Sequence, residues 1–490
     1  MERASGVLMP ISSLPGPYGI GGFGWNAYDF VDFLASCKQH YWQILPLTTT
    51  SYGDSPYQSF SARAGNPNFI DFAELIEAGY LEQRDIDGVY LGSDPNNVDY
   101  GAIFGGRRQI LDRAAERFAA DKPADFDDFV QASEDWLIPY CEFMTVKEEC
   151  GLKAFWEWPA ELRTRGEASA KVCADHPARM LYHQMTQYFF DRQWSRLKAY
   201  ANEHDILIIG DLPIYVSRDS VEMWATPELF KIDAAGNPVS VAGTPPDQFS
   251  ATGQYWGNPI YDWARMKGDG YGWWIRRIDG ANKLFDIIRI DHFRGLSAYW
   301  AVPSDEKTAK NGEWRKGPGI DFINRMKGWF GGINIIAEDL GILDDDVREL
   351  LKQSGFPGMK VLEFAFDSSR NSDYLPHKYD RNCVCYCGTH DNATLKEWLT
   401  EGDKEETDFA KEYFRIDDNS NFNYGIIFGG MASVADLFVA QMQDYLELGG
   451  ESRTNIPGKA FGNWKWRMEK QACTDELAEK IAKITELYGR

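Results

Sequence analysis

The stretch Ile287-Ile288-Arg289-Ile290-Asp291-His292-Phe293-Arg294-Gly295 decides how the rest of the chain is interpreted. Its first four residues are mostly apolar and branched, which is typical of a strand buried in a parallel sheet. Charged residues follow at once, and a buried strand holds the groups at its carboxyl end rigidly. The pattern therefore predicts either a functional site or a salt-bridged strand end in which Arg289 and Asp291 neutralise each other.

Seven further stretches have the same strand-like character. With the first, the predicted strands are residues 6–11, 41–47, 206–211, 287–290, 333–339, 358–364, 383–387 and 438–442. The last is also compatible with the end of a helix. Segments with helical spacing, such as 26–38 and 344–353, separate most of the strands. Eight parallel strands alternating with helices predict an α/β fold, the (β/α)8 TIM barrel, whose site lies at the carboxyl ends of the strands.

Two long segments interrupt this alternation. Residues 71–200 carry charged and apolar residues at helical spacing and predict a mostly helical subdomain inserted after the second strand. Residues 213–280, after the third strand, are rich in turn residues and aromatic side chains and predict a loop-rich insertion. We therefore expect one barrel over residues 1–490 that carries both insertions, with no separate C-terminal β-sandwich domain.

The composition limits the partners and the location. Lys and Arg number 51 and Asp and Glu number 74, so the formal charge is −23. An acidic surface repels nucleic acid and anionic membranes, whereas a neutral ligand is indifferent to it. The N-terminus has no basic-then-apolar leader, and no apolar run approaches the ~18 residues of a membrane span. We expect a cytoplasmic protein that is a monomer or a weak homo-oligomer.

The cysteines indicate neither disulfides nor a metal centre. Eight cysteines in 490 residues do not make a disulfide framework, so reduced thiols are expected. Cys383, Cys385 and Cys387 alternate along a predicted strand and share one of its faces, whereas zinc ligands favour a CxxC-like turn. We expect buried thiols there, and no metal or other cofactor in the protein.

Four of the predicted strands end in or shortly before an acid, namely Asp211, Asp291, Glu338 and Asp391. A structural protein has no reason to gather carboxylates at one rim, because their mutual repulsion costs stability. Such a group fits two uses: binding of a divalent metal, or cleavage of a glycosidic bond by a nucleophile and an acid/base. The aromatic and amide side chains of the neighbouring loops favour a sugar over a metal.

The sequence as a whole resembles the 4-α-glucanotransferases of the amylomaltase (disproportionating enzyme) type, glycoside hydrolase family 77 of the α-amylase clan. The resemblance covers nearly the whole chain and includes the long helical insertion, which fits this family better than a typical α-amylase. It rests on the order and spacing of nine stretches, residues 6–24, 42–46, 52–67, 210–213, 243–259, 289–295, 337–341, 388–392 and 455–467.

The resemblance implies a retaining transfer of an α-1,4-glucan segment from a malto-oligosaccharide donor to the 4-hydroxyl of an acceptor glucan or glucose. Asp291 would be the nucleophile that forms a covalent glycosyl intermediate, Glu338 the general acid and then base, and Asp391 the stabiliser of the cation-like sugar. The implied binding residues are Arg289, His292, His390, Tyr52, Asp54, Ser55, Tyr57, Asp211, Trp256 and Asn463. For Asp211 a structural role and a sugar-facing role are equally open.

Three alternatives remain open from the sequence. A hydrolase of the same clan would carry the same carboxylates, a catalytically dead glucan-binding protein would keep the scaffold, and a metal-dependent barrel enzyme would lose activity on chelation. A transferase must let an acceptor sugar outcompete water for the intermediate. The loop 243–259 and the loop that carries Tyr52 are the segments expected to exclude water and to seat the acceptor.

Overall fold

The structure is a computed structural model that describes residues 2–246, 250–341 and 343–490, without the side chain of Tyr52. Residues 247–249 of the predicted loop 243–259 thus lie outside the described part. The strands are β1 (Ala4–Leu8), β2 (Tyr41–Gln43), β3 (Leu207–Leu212), β4 (Ser240–Thr244), β5 (Gln254–Pro259), β6 (Ile287–Ile290), β7 (Ala298–Pro303), β8 (Glu313–Lys316), β9 (Ile335–Ala337), β10 (Gly358–Val361), β11 (Cys383–Tyr386) and β12 (Leu437–Gln441).

Eight of these strands form the predicted barrel. They are parallel and lie in the order β10-β11-β12-β1-β2-β3-β6-β9. A backbone hydrogen bond from Ala337 N–H to Pro357 O (2.9 Å) joins β9 to the start of β10 and nearly closes the ring. All eight predicted strands are confirmed, and the ambiguous stretch 438–442 is the strand β12, which pairs with β1 and β11.

Alternate residues of the barrel strands fill two separate apolar layers. Ile287 belongs to a cluster made of barrel-strand residues, which is the interior of the barrel. Its neighbours Ile288 and Ile290 belong to the larger cluster between the barrel and the helices. Because both faces of each strand are buried, the strands read as continuous apolar runs. Cys383, Cys385 and Cys387 are buried free thiols on or directly after β11, as expected.

The helices cover the barrel and fill most of the segment between β2 and β3. They are α1 (Trp25–Ser36), α2 (Phe72–Glu77), α3 (Gln83–Ile86), α4 (Tyr100–Ala120), α5 (Phe126–Ala132), α6 (Glu134–Glu149), α7 (Glu167–Asp175), α8 (Pro177–Glu203), α9 (Val221–Ala225), α10 (Trp263–Gly268), α11 (Gly272–Leu284), α12 (Gly319–Phe330), α13 (Asp345–Ser354), α14 (Leu395–Glu401), α15 (Lys404–Phe414), α16 (Phe422–Ala432), α17 (Met442–Tyr445) and α18 (Asp475–Leu487). Of the helices that the structure describes, none has the length and apolar character needed to cross a membrane.

Helices α2–α7 lie within the segment predicted to be helical, residues 71–200, and α8 begins in it and ends at Glu203. Its longest element, α8, lies against α4 and α6 and also packs against α1 of the barrel layer. That this segment forms a subdomain of its own stays a prediction. The same holds for the division of the chain into one barrel with two insertions.

A second sheet stands beside the barrel and was not predicted. It is antiparallel, with the strand order β5-β4-β7-β8. The interpretation of residues 243–259 as a loop is therefore wrong for the end of β4 and for β5. The residues of β5 include Gly257, Asn258 and Pro259, which are typical of turns. Pairing with β4, which in turn pairs with the distant β7, overrides that local preference.

Candidate active site

The four predicted acids meet at the carboxyl-end rim of the barrel. Asp211 is in the last part of β3, while Asp291 and Glu338 directly follow β6 and β9. Asp391 comes five residues after the end of β11. Because these strands are parallel members of one barrel, their carboxyl ends lie side by side. The sequence-based prediction that one rim collects these side chains is consistent with this arrangement.

Arg289 joins two of the acids. Its Nη1 donates to both carboxylate oxygens of Asp211 (2.6 and 2.7 Å) and to Oδ1 of Asp291 (3.0 Å). Burial acts against the charge of Arg289, but Asp211 and Asp291 outweigh it and raise the pKa of the guanidinium. A permanent cation therefore occupies the place between the two carboxylates where a bound metal ion would otherwise compensate their charge. In the described ranges, no group of three or more His, Cys, Asp or Glu side chains is arranged to hold a metal ion.

Exposure separates Asp211 from the other two rim aspartates. The side chain of Asp211 is 1% exposed, whereas those of Asp291 and Asp391 are 27% and 46% exposed. Asp211 also accepts a hydrogen bond from the hydroxyl of Tyr57 (2.6 Å), so both of its oxygens are engaged by protein groups. This geometry favours the structural role for Asp211, which positions Arg289 and Tyr57.

Burial shifts the pKa values of Asp291 and Glu338. Burial raises the pKa of Asp291 well above its usual range, Asp211 and Glu338 add to the rise, and Arg289 opposes it. Burial also raises the pKa of Glu338. The backbone N–H groups of Leu340 (2.8 Å) and His292 (2.6 Å) donate hydrogen bonds to its carboxylate and partly offset that rise. Because burial and mutual repulsion both disfavour two charges, the pair gives up its last proton at a higher pH than two ordinary carboxyls would.

Asp391 is held from the C-terminal part of the chain. Its Oδ1 accepts a hydrogen bond from Nδ2 of Asn455 (2.6 Å), and its backbone carbonyl accepts one from Arg453 (2.9 Å). Arg453 in turn donates to the backbone carbonyl of Asn455 (2.9 Å) and to Glu397 (3.3 Å). These supports were missed from the sequence, where Asn455 stands 64 residues after its partner. The one hint was its place at the start of the resembling stretch 455–467.

Tyr57 and His390 form one wall of the site. The Tyr57 hydroxyl lies 2.8 Å from Nε2 of His390, and the two rings stack with centroids 5.4 Å apart. Since the hydroxyl proton goes to Asp211, the histidine contributes the N–H of this second bond, which places its proton on Nε2. Burial raises the pKa of Tyr57 and lowers the pKa of His390. Both groups are therefore neutral hydrogen-bonding partners.

His292 and Trp256 form a second aromatic pair, directly after Asp291 in the case of His292. The imidazole of His292 meets the ring of Trp256 edge to face at 4.8 Å. Burial, assisted by Arg294, lowers the pKa of His292 to about 3, so this histidine is also neutral. Its backbone lies in the left-handed region with φ at 51°, a conformation that costs free energy in a non-glycine residue and is often found at functional sites. The turn directs its N–H onto Glu338.

The remaining predicted binding residues lie farther out. Ser55 Oγ accepts the backbone N–H of Tyr57 (3.2 Å), and burial raises the pKa of the half-buried Asp54. The amide of Asn463 is used within its own loop: it accepts from Ile456 N–H (3.1 Å) and donates to the carbonyl of Lys459 (2.9 Å). For these residues a direct contact with substrate stays a prediction, and the side chain of Tyr52 lies outside the described part.

Comparison with known proteins finds similarity to one family. The sequence model of a family described as 4-alpha-glucanotransferase matches residues 9–473. A 4-alpha-glucanotransferase of Streptococcus pneumoniae serotype 4 is 48% identical over 493 residues, covering 100% of this chain and 98% of the relative. The enzyme of Clostridium butyricum is 46% identical, covering 98% of this chain and 100% of its own. A solved amylomaltase from Streptococcus agalactiae in complex with acarbose is 45% identical, with a TM-score of 0.97 over 100% of both chains.

Proposed function

Because the chain belongs to the 4-alpha-glucanotransferase family, we propose that it transfers segments of α-1,4-glucan from a malto-oligosaccharide donor to the 4-hydroxyl of an acceptor glucan or glucose. The observation that carries this proposal is the placement of Asp291, Glu338 and Asp391 on one barrel rim, with Arg289 bonded to the first of them. The −23 charge does not hinder a neutral saccharide.

In the first half of the reaction, Asp291 attacks the anomeric carbon of the donor. The bond from that carbon to the glycosidic oxygen breaks, and Glu338 gives its proton to the departing oxygen. Asp291 must be ionised for this step and Glu338 must be protonated. The proposed reaction assigns the shared proton of the pair to Glu338 and the negative charge to Asp291, whose carboxylate the hydrogen bond from Arg289 stabilises.

In the second half, the 4-hydroxyl of an acceptor replaces the departed segment. Glu338 removes the proton of that hydroxyl as its oxygen attacks the anomeric carbon and the bond to Asp291 breaks. Each step inverts the configuration at the anomeric carbon, so the product retains the α-configuration of the donor. Glu338 is protonated again at the end and the cycle is closed.

The other rim residues bind and shape the reacting sugar in this proposal. Asp391, the most exposed of the rim carboxylates, hydrogen-bonds sugar hydroxyls and stabilises the developing positive charge of the ring. The neutral His292 offers a ring nitrogen to the hydroxyls of the same unit, and the neutral His390, whose Nε2 bonds Tyr57, lines that unit beside it. Trp256 offers an aromatic surface next to His292 for the glucan chain.

A hydrolase of the same clan is the main alternative, because water uses the same carboxylates. Family membership favours transfer, and a bound, oriented acceptor can reach an effective concentration of about 10⁵ M, far above that of water. The dead-enzyme alternative is disfavoured because the three acids are present and grouped. The metal-dependent alternative is disfavoured because Arg289 compensates Asp211 and Asp291.

The product pattern from maltotriose tests the proposal. Disproportionation should yield free glucose together with chains longer than maltotriose, and the retained α-linkage should be visible by NMR. Formation of glucose and maltose alone would identify a hydrolase. Absence of any product would support the non-catalytic alternative, and loss of activity on chelation the metal-dependent one.

We also propose a cytoplasmic location and a monomeric or weakly homo-oligomeric state, with α-1,4-glucans and malto-oligosaccharides as the binding partners. The formal charge of −23 is compatible with neutral saccharides as the binding partners. Light scattering of the purified protein across a concentration series measures the oligomeric state directly.

A further inference from the structure

The barrel has a seam between β9 and β10, next to the proposed acid/base. Strand β9 pairs with β6, and β10 pairs with β11. In the part of the chain that the structure describes, no strand ladder joins β9 to β10, and the two strands stand at opposite ends of the strand order. Glu338 directly follows β9, so the proposed acid/base is carried by a strand that lacks a ladder on one side.

The carboxylate of Asp339 bridges this seam. Its Oδ1 accepts a hydrogen bond from the backbone N–H of Met359 on β10 (2.6 Å). The bond lies closer to the carboxyl ends of the two strands than the backbone bond from Ala337 to Pro357 does. Asp339 is 5% exposed and Met359 is fully buried. A buried carboxylate that accepts a backbone N–H forms one of the stronger kinds of hydrogen bond, so this contact can hold the strand ends together.

Gly358 leaves the space that this bond needs. A Cβ atom at this position would lie 2.8 Å from both carboxylate oxygens of Asp339, which is too close for an unstrained contact. The backbone φ of Gly358 lies outside the left-handed region. The position therefore calls for glycine because of the space and not because of the backbone conformation.

The turn that contains Asp339 also holds the carboxylate of Glu338. The N–H of Leu340, the residue after Asp339, donates to Oε1 of Glu338 (2.8 Å), and the N–H of His292 donates to Oε2 (2.6 Å). Asp339 thus stands between the proposed acid/base and one of the two donors that orient it. A shift of Asp339 away from β10 moves that donor and changes the direction in which Glu338 presents its proton.

We propose that Asp339 is a positioning residue for the acid/base and that it acts by tying the turn 338–340 to β10. This rests on the proposed function, which gives Glu338 its role. The carboxylate of Asp339 is buried against β10, so Asp339 acts through its neighbours and not on the sugar. Misplacing a reacting group by about 1 Å can cost about a hundredfold in rate, so a tie of this kind has a measurable effect on catalysis.

The test separates the step that needs the acid from the rest of the reaction. The sugar that leaves from maltotriose needs a proton from Glu338, whereas fluoride departs from α-maltotriosyl fluoride with far less help from an acid. The measurements are the kcat and KM of glucose release from maltotriose, and the rate of fluoride release in the first turnover. A variant that only misplaces Glu338 loses the first activity and keeps the second.

Three variants change the tie in different ways, and a fourth is the control. Asp339→Ala removes the bond to Met359, Gly358→Ala pushes the carboxylate away from β10 without changing it, and Asp339→Asn keeps an acceptor oxygen. Asp71→Ala is matched to Asp339→Ala, because Asp71 is also buried (8% exposed) and also accepts a backbone N–H, that of Ala73 (2.8 Å) on α2. It controls for the loss of a buried bond away from the seam.

We expect Asp339→Ala and Gly358→Ala to lower the kcat for maltotriose about 10- to 100-fold, with first-turnover fluoride release within about threefold of wild type. Asp339→Asn should recover most of the maltotriose activity, and Asp71→Ala should behave as wild type in both assays. If Asp339→Ala does not fold, Gly358→Ala and Asp339→Asn decide the question.

Equal losses on the two substrates, or an unchanged kcat for maltotriose in the variants that break the tie, would overturn the positioning role of Asp339. Failure of the wild type to disproportionate maltotriose would instead refute the proposed function.

Discussion

Arg289 determines the electrostatics of the site at the scale of single residues. One guanidinium, 3% exposed, bonds the buried Asp211 and the accessible Asp291. A charge pair buried to this degree is costly to break, since removing one partner leaves the other uncompensated. Asp211 contacts Asp291 only through Arg289 in this network, and Tyr57 and His390 extend the network to the loop after β11.

Removing either reacting carboxylate tests the assigned roles. Asp291→Asn cannot form the ester intermediate and Glu338→Gln cannot transfer a proton, so each should lower transfer from maltotriose by several orders of magnitude. Both replacements keep the shape of the side chain, so the melting temperature should stay close to that of the wild type. Near-normal activity of either variant would refute the assignment.

Asn455 is expected to act as a positioning residue for Asp391. Asn455→Ala removes the 2.6 Å hydrogen bond to Asp391 and should lower kcat/KM for maltotriose about 10- to 100-fold, because small displacements of a reacting group cost that much. Asn455→Asp places a second carboxylate against that of Asp391, so kcat/KM should fall further than in Asn455→Ala. Thermal melting controls for folding. Unchanged kinetics in both variants would exclude the role.

At the scale of elements, one buried acid ties together three helices of the segment between β2 and β3. Glu148 of α6 bonds Arg108 of α4 (2.7 Å) and Arg179 of α8 (2.9 Å). Burial acts to raise its pKa, but hydrogen bonds from His183 and Arg108 outweigh burial and lower the pKa to about 2. The ionised form is therefore the one that the folded protein stabilises.

Glu148→Gln should lower the free energy of unfolding at pH 7 by about 3 kcal/mol, because two arginines lose their buried counter-ion. A carboxyl with a depressed pKa stabilises the fold above its unfolded pKa, and that contribution is lost as the pH falls through the folded value. The difference from wild type should accordingly shrink as the pH is lowered from about 5 toward 2. Urea unfolding measures it, with the exposed Glu149→Gln as the control.

Asp444, after β12, has the opposite dependence on pH. It is buried, accepts the N–H of Leu395 at the start of α14 (2.8 Å), and burial raises its pKa to about 7. The folded state favours the protonated carboxyl. Its contribution to stability is thus complete below the unfolded pKa of about 3.9 and is lost as the pH rises toward 7.

Asp444→Asn removes that loss, because the amide stays neutral and keeps an acceptor for Leu395. At pH 8 the variant should have a free energy of unfolding up to about 4 kcal/mol higher than that of wild type, since one pKa unit corresponds to about 1.4 kcal/mol. Its melting temperature at that pH should be higher accordingly. At pH 4 the two should differ little. Calorimetry at both values checks this, with the exposed Glu476→Gln as control; a difference independent of pH would contradict the assignment.

Some elements could be predicted from sequence patterns and others could not. The barrel strands are apolar on both faces, so each could be predicted from its own residues. The second sheet could not, because β5 carries turn residues and pairs with β4, which is held in turn by a pairing of Gly243 with the distant Trp300 of β7. Within residues 71–200, which were predicted to be mostly helical, the spacing did not reveal the break at Ser133 between α5 and α6.

For the whole molecule, the order of strand ends was enough to predict which acids share a rim, since a parallel barrel brings successive carboxyl ends together. Side chains that support the site from outside that pattern, such as Asn455 and Arg453, carry no periodic signal. The sequence also left the role of Asp211 open, and its burial together with its ion pair to Arg289 favours a structural role. Contacts between distant segments determine these details.

The central claim is that Asp291 is the nucleophile at a site where Glu338 and Asp391 act on the same glucose unit. The most direct measurement is to react the protein with 5-fluoro-α-D-glucosyl fluoride, which forms the intermediate faster than it is turned over, and to locate the adduct by peptide mass spectrometry. The account predicts one fluoroglucosyl unit on the peptide that contains Asp291. An adduct on another carboxylate, or transfer products with inverted configuration and no adduct, would contradict it.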